Sequence, residues 1–291
     1  MTASRPGRAV TAAAVATAVL TSCAAPVGLG VVVERVVDSG PGRDSSAYRA
    51  PDPVDAHRLG GAVLAVLAGA DDPSLPDGTQ VVDAVDADGR PVQVVTEGAD
   101  GGPPRGWGVY AVRAGAGAPP GLVVEVPHPR ADRWTEDLGV ELFTLLDADA
   151  LFVAGAHRTA GDGAADVAHR PASAFAVVDR AVVGAGTVVL QVHGFDESRH
   201  PGEAQVVLSS TESRADPLVE RLAEGFEDAG LGTCVYDGER CSALAGTRNV
   251  QAGHARTVGA TFVHLELAAD LRTTAAGRQR VVDVLAAVLG S

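Results

Sequence analysis

Side chains suited to acid–base or metal chemistry follow several apolar segments of this sequence. His128 comes just after an apolar run, His193 follows Val-Val-Leu-Gln-Val, and Glu266 follows Thr-Phe-Val-His-Leu. His157-Arg158 follow Leu-Phe-Val-Ala-Gly-Ala. Ligands bind at the carboxyl ends of strands in open α/β sheets. We therefore expect these side chains to share one cleft.

Two of these histidines and a nearby aspartate form a possible metal site. A catalytic zinc ion uses three histidine or carboxylate ligands and keeps one position open, and His128, Asp132 and His193 supply such a set. Glu136, farther along the same turn, is the alternative to Asp132, although helix N-termini attract carboxylates without any metal. Glu266 is the candidate base for the metal-bound water. The sequence thus predicts one zinc ion.

A second group could bind a substrate carboxylate. A guanidinium binds a carboxylate through two parallel hydrogen bonds, so we expect Arg158 and Arg170, with His169 between them, to contact substrate. Arg248 and Asn249 could line the same cleft. Surface ion pairs are the alternative for the arginines, and a buried hydrogen bond is the alternative for His169. For Glu266, the alternative to the role of base is a salt bridge to Arg272 or Arg278.

Other kinds of site find less support. The remaining histidines have no acidic or histidine cluster around them in the sequence, and we expect them to be structural or exposed: His57, His200, His254 and His264. No Gly-x-Ser-x-Gly turn is present for a nucleophilic serine. The chain has no lysine and a net charge of −14 over 291 residues, so nucleic-acid binding is not expected. A small molecule or a peptide is the expected partner.

The N-terminus resembles a bacterial lipoprotein leader. Arg5 and Arg8 precede an apolar stretch, 9–20, that is too short to span a bilayer. It ends in Leu-Thr-Ser-Cys23, which resembles a lipobox. We predict a signal peptide over 1–22, a lipid on Cys23 and a protein anchored by that lipid to the outer face of the cell membrane. Cleavage without lipidation, giving a secreted protein, is the alternative.

Export affects how the other two cysteines are interpreted. Cys234 and Cys241 bracket a short polar turn, and in an oxidising compartment such a pair predicts a disulfide. Two free buried thiols are the alternative.

The pattern of the remaining chain predicts an α/β fold. Short Val-rich strands alternate with helices from Leu122 onward, which favours a mixed, largely parallel sheet of about eight strands with helices on both faces. We expect a flexible tether over 23–50 and a single catalytic domain over 51–291. Within it, 51–112 would form an N-terminal helix and edge hairpin, and 122–291 the core.

In their order, these motifs resemble the zinc carboxypeptidase-like superfamily, in the branch of N-formylglutamate amidohydrolases and poly-γ-glutamate hydrolases. The matching stretches are Val126-Pro-His-Pro-Arg-Ala-Asp132, His157-Arg158, Asp166-Val-Ala-His-Arg170, Gln191-Val-His-Gly-Phe195 and His264-Leu-Glu-Leu267. Two departures concern single residues. His169 stands where the family often has Asn, and Gln191 stands where a carboxylate often orients the zinc-binding histidine.

The resemblance implies a function. It predicts an exported zinc-dependent hydrolase that cleaves an amide or peptide bond of a carboxylate-bearing substrate, such as an N-acyl amino acid or a peptide. Glu266 and Arg158 would be its catalytic residues. Because fold does not determine function, a non-catalytic cell-surface binding lipoprotein on the same fold is the alternative.

Overall fold

A computed structural model describes residues 1–2, 26–98 and 102–290 of the chain. Nearly all of the predicted signal peptide, and the predicted lipidation site Cys23, lie outside the described residues. Among the helices that are described, none combines the length and the apolar character needed to cross a membrane.

One mixed sheet organises the molecule. Its strands are β1 (Val27–Gly28), β2 (Thr79–Val85), β3 (Pro91–Glu97), β4 (Val109–Val112), β5 (Leu122–Val126), β6 (Ala150–Val153), β7 (Val188–Gly194), β8 (Val206–Ser209), β9 (Thr233–Val235) and β10 (Thr261–Leu267). The spatial order is β1-β2-β3-β4-β6-β5-β7-β10-β8-β9. The described sheet has ten strands rather than about eight, and one of them, β1, lies in the range predicted to be a tether.

Helices cover both faces of this sheet, as predicted. They are α1 (Leu29–Ser39), α2 (Pro53–Leu67), α3 (Thr135–Leu145), α4 (Ala174–Val182), α5 (Pro217–Asp228), α6 (Val250–Val258), α7 (Ala269–Thr273) and α8 (Ala275–Leu289). Helices α1, α3, α5 and α8 pack into one apolar core, and α2, α4 and α6 pack into the other. The strands between them are apolar on both sides because both faces are covered.

The prediction of a flexible tether over 23–50 differs from the structure. Helix α1 buries Leu29, Val32, Val33 and Val37 against the core. These positions recur at the three- and four-residue spacing of one helix face. Burial of four aliphatic side chains fixes the segment to the domain, and Tyr48, farther along, is also buried. The folded unit thus begins well before residue 51.

The centre of the sheet is parallel and contains a reversal of strand order. From β5 the chain crosses to β6 on one side, and β7 then pairs with β5 on the other side. Strand β10 continues the parallel set beside β7. A crevice forms at the carboxyl ends of strands where the order reverses, and β5 and β7 form such a point here.

Candidate metal centre

His128, Asp132 and His193 meet at this point of the sheet. Pro127 ends the ladder of β5, and a turn follows in which the Asp132 amide donates to the His128 carbonyl over 2.8 Å. His193 lies near the end of β7. Asp132 Oδ2 is 3.7 Å from His128 Nδ1 and 3.4 Å from His193 Nδ1. One ligand atom from each residue lies within 4.8 Å of the others.

The chemistry of these donors fits a zinc ion. Both imidazoles and the carboxylate are largely removed from solvent, and two histidines with one carboxylate are a ligand set of catalytic zinc sites. His128 Nδ1 is buried and has no hydrogen-bond partner in the described part of the chain. A buried polar atom without a partner is costly, and a cation between the three side chains would satisfy it.

Asp166 contacts the other side of His128. Its Oδ1 is 2.8 Å from His128 Nε2, while its Oδ2 contacts Arg158 Nη2 and His169 Nδ1, both at 3.1 Å. Burial lowers the pKa of His128 to about 4, against the opposing effect of Asp166. The imidazole is therefore neutral near pH 7, which is the form that binds a metal.

The structure distinguishes Asp132 from its alternative, Glu136. Asp132 contacts both histidines, whereas Glu136 lies in the first turn of α3. Burial raises the pKa of Glu136 to about 6, and hydrogen bonds with nearby backbone amides oppose the rise. Its position at a helix N-terminus is one that carboxylates adopt without a metal.

Glu266 lies beside the three candidate ligands. One of its oxygens is within 4.8 Å of a nitrogen of His193 and of His264. Its Oε2 is buried and unpaired among the described residues. Burial, and secondarily the charge of Asp132, raise its pKa well above the usual value. The alternative salt bridges are not formed, because Arg272 donates to two backbone carbonyls and Arg278 pairs with Glu141.

The predicted substrate residues fall into two groups: most line a cavity of about 630 Å³, and one lies outside it. Arg158, His169 and Arg248 line this cavity together with the candidate ligands. The Arg158 side chain remains 37% exposed, so its guanidinium can still contact a substrate. Arg170 lies elsewhere, on a small surface depression, and donates to the Gly163 carbonyl. Its predicted contact with substrate is not supported, because Arg170 does not line the cavity.

Asn249 lines the cavity but is engaged in other bonds. It is 5% exposed and caps α6 by accepting from the amides of Gln251 and Ala252. Its Nδ2 donates to Gln191 Oε1. These bonds occupy both ends of its side-chain amide, so the structure places Asn249 behind the site rather than against a substrate.

Two histidines that were expected to be structural or exposed also line the cavity. His264 is 3% exposed, lines the cavity, and its ring centroid lies 4.6 Å from that of His193. It precedes Glu266 by two residues on β10, and residues two apart on a strand share a face, so the signal was present. His200 also lines the cavity, from a loop without regular structure, and no local pattern indicated this.

A chain of buried polar groups lies behind His193. Its Nε2 is 2.8 Å from Gln191 Oε1, and Gln191 Nε2 donates to Glu125 Oε2 over 2.7 Å. Asp179 of α4 is a second buried carboxyl, and the charge of Glu125 acts on it. Burial raises the pKa of Glu125 to about 7 and that of Asp179 well above its usual value. Two buried carboxyls whose pKa values are both raised favour retention of a proton by the pair.

The predicted disulfide between Cys234 and Cys241 is present, with the two Cα atoms 6.5 Å apart. It links β9 to the short 3₁₀ turn at 242–244, which lines one wall of the cavity. The cross-link therefore fixes the segment that leads to Arg248 and Asn249.

No protein-family model matches the chain, and no curated protein matches it. Several solved structures are similar to it in architecture. An N-formylglutamate amidohydrolase from Ralstonia eutropha JMP134 is 14% identical, with 60% of this chain and 92% of that chain covered and a TM-score of 0.41. A bacteriophage poly-gamma-glutamate hydrolase is 14% identical, with 59% and 82% covered and a TM-score of 0.37.

A metallo-carboxypeptidase from Burkholderia cenocepacia covers more of this chain. It is 14% identical, with 84% of this chain and 68% of that chain covered and a TM-score of 0.39. The names of these neighbours are among those of the superfamily that the sequence motifs resemble, and the likeness itself is one of architecture.

Proposed function

We propose that this protein is a zinc-dependent hydrolase that cleaves an amide bond in a carboxylate-bearing substrate. One observation carries the proposal: His128, Asp132 and His193 converge beside the unpaired carboxyl of Glu266 in a single cavity. When bound by the three ligands, zinc would polarise the scissile carbonyl and lower the pKa of the attacking water.

Glu266 is the proposed proton carrier. Its carboxylate would accept a proton as water attacks the carbonyl carbon and would then deliver that proton to the leaving nitrogen. Such a group must accept and release a proton near neutral pH, and a raised carboxyl pKa suits both steps. The burial of Glu266 and its closeness to Asp132 produce that rise.

Arg158 is the proposed contact for the substrate. One side of its guanidinium is held by Asp166 at 3.1 Å, which orients the remaining N–H groups. These groups would bind a substrate carboxylate or the oxygen on which negative charge develops during attack. Arg248 adds a second positive group to the cavity wall. An acidic protein that places arginines in its cavity favours an anionic substrate.

The proposed location is the outer face of the cell membrane, through a lipid on Cys23, and it rests on the leader sequence alone. The disulfide is consistent with an oxidising compartment.

The test combines metal analysis with a substrate panel. The full chain, loaded with zinc, is assayed on N-acyl amino acids and peptides with and without a chelator. We expect hydrolysis that the chelator abolishes. Glu266→Gln should keep the zinc and lose on the order of 10²–10⁴ in rate, the range for a positioned proton carrier. Glu224→Gln, an exposed carboxyl on α5, is the matched control and should behave as the parent.

Two results would contradict this proposal. A Glu266→Gln variant as fast as the parent would remove Glu266 from the mechanism. Zinc binding without hydrolysis of any substrate on the panel would favour the non-catalytic binding lipoprotein.

A further inference from the structure

His193 offers its Nδ1 to the candidate metal position, and this requires one particular arrangement of ring protons. Only a nitrogen without a proton can bind a metal. The other nitrogen, Nε2, lies 2.8 Å from Gln191 Oε1. An amide oxygen can only accept, so this contact requires the proton to be on Nε2.

The amide of Gln191 could in principle point either way. In the observed orientation its Nε2 donates to Glu125 and its oxygen accepts from His193. Turned over, its nitrogen would donate to His193 Nε2, and its oxygen could accept a hydrogen bond from a protonated Glu125. The second orientation would place the ring proton of His193 on Nδ1, which blocks the metal-binding nitrogen.

Asn249 distinguishes these two orientations. Its Oδ1 accepts from the backbone amides of Gln251 and Ala252, over 2.9 and 3.0 Å, at the N-terminus of α6. These two donors fix the direction of the Asn249 amide, so its Nδ2 must face Gln191. Because Asn249 Nδ2 is a donor, the atom of Gln191 that faces it must be the oxygen, since two N–H groups would repel each other.

From this chain of bonds we infer that Asn249 is a positioning residue: through Gln191, the capped end of α6 holds the proton of His193 on Nε2 and leaves Nδ1 free to bind zinc. The inference rests on the proposed zinc site. His193, Gln191 and Asn249 are each at most 5% exposed, and burial strengthens these bonds. No sequence neighbourhood indicates the link, because Gln191 and Asn249 are 58 residues apart.

The first test needs no variant. In the parent protein, nitrogen-15 NMR of the histidine rings should show a proton on His193 Nε2 that exchanges slowly with water, both before and after zinc is added. A His193 ring whose Nε2 carries no proton would overturn the inference, whether or not zinc binds.

The second test measures zinc affinity by competition with a chelator. Asn249→Ser keeps a side-chain cap for α6 but removes the donor to Gln191. We expect zinc to bind 10–100-fold more weakly, the usual effect of losing a residue that orients a metal ligand. Adding Gln191→Glu together with Glu125→Gln should restore the affinity to within a few-fold, because a carboxylate at position 191 accepts from His193 through either oxygen and also accepts from the new amide at position 125.

Asp216→Ser, which likewise places Ser at a helix N-cap, that of α5, is the control and should leave zinc affinity unchanged. An Asn249→Ser variant with the parent's affinity and a protonated Nε2 would refute the role of Asn249. If the parent itself binds no zinc, the proposed function fails, and comparison of the histidine NMR spectra of the parent and of Asn249→Ser still decides whether Asn249 holds the proton on Nε2.

Discussion

The buried acid pair formed by Glu125 and Asp179 predicts a pH dependence of stability that a double substitution should remove. Burial raises the pKa of Glu125 from 4.5 to about 7 in the folded protein. Between these two values the folded state holds a proton that the unfolded state has released. The free energy of unfolding therefore falls as pH rises, by about 1.4 kcal/mol for each pH unit.

Between pH 4.5 and pH 7, Glu125 alone lowers the free energy of unfolding by about 3 kcal/mol. This loss of stability is absent below pH 4.5 and nearly complete above pH 7. The pKa of Asp179 is raised in the same direction, so its contribution adds to the loss. Other groups titrate in this range as well, and the test is accordingly a difference between two proteins.

The double variant Glu125→Gln with Asp179→Asn keeps the shapes and lets one amide donate to the other. Urea unfolding at pH 4.5, 6, 7 and 8 gives the free energy of unfolding of each protein. Relative to the parent, the double variant should gain about 3 kcal/mol or more between pH 4.5 and pH 8. The control Glu224→Gln changes an exposed carboxyl and should track the parent at every pH. A difference between double variant and parent that stays constant across this range would refute the assignment of a shared, retained proton.

Three further predictions concern other parts of the fold. Replacing Cys234 and Cys241 together by Ser should lower the free energy of unfolding by about 2–3 kcal/mol, the chain-entropy value for so short a loop; urea unfolding of oxidised parent and variant measures it, and equal stability would contradict it. Leu29→Ala should cost about 2–5 kcal/mol, because Leu29 is 1% exposed in the core, whereas Val31→Ala, at a position 49% exposed, should change stability by under about 0.5 kcal/mol. Equal effects would show that α1 is not packed. Arg158→Lys should raise KM or lower kcat/KM on a carboxylate-bearing substrate, since lysine lacks the planar fork, and unchanged kinetics would exclude the contact.

The regular elements could be predicted where the sequence marks both their pattern and their ends. The strand Leu122–Val126 ends at Pro127, and the helix Thr135–Leu145 carries leucines at a helical spacing. Helix α1 was missed although its apolar spacing is helical, because it lies in a Gly- and Arg-containing stretch beside the leader. Its burial depends on packing against α3 and the sheet, which no local pattern reveals.

The candidate site, too, could be predicted only in part. Side chains at strand ends could be grouped because parallel strands end together, and this brought His128, His193 and Glu266 into one hypothesis. The groups behind them could not be found in this way. Gln191 meets Glu125 and Asn249 through strand register and helix packing over 66 and 58 residues, and a single sequence contains no record of such pairings.

The central claim is that His128, Asp132 and His193 hold a zinc ion while Glu266 stays free. Its most direct test is anomalous diffraction at the zinc absorption edge from crystals of the zinc-loaded protein. We predict one peak, about 2.0–2.2 Å from Nδ1 of both histidines and from an Asp132 oxygen, with the Glu266 carboxyl outside the coordination shell. The described residues offer a second possible set, His193, His264 and Glu266. A peak held by that set, or no peak at either set, would contradict the claim.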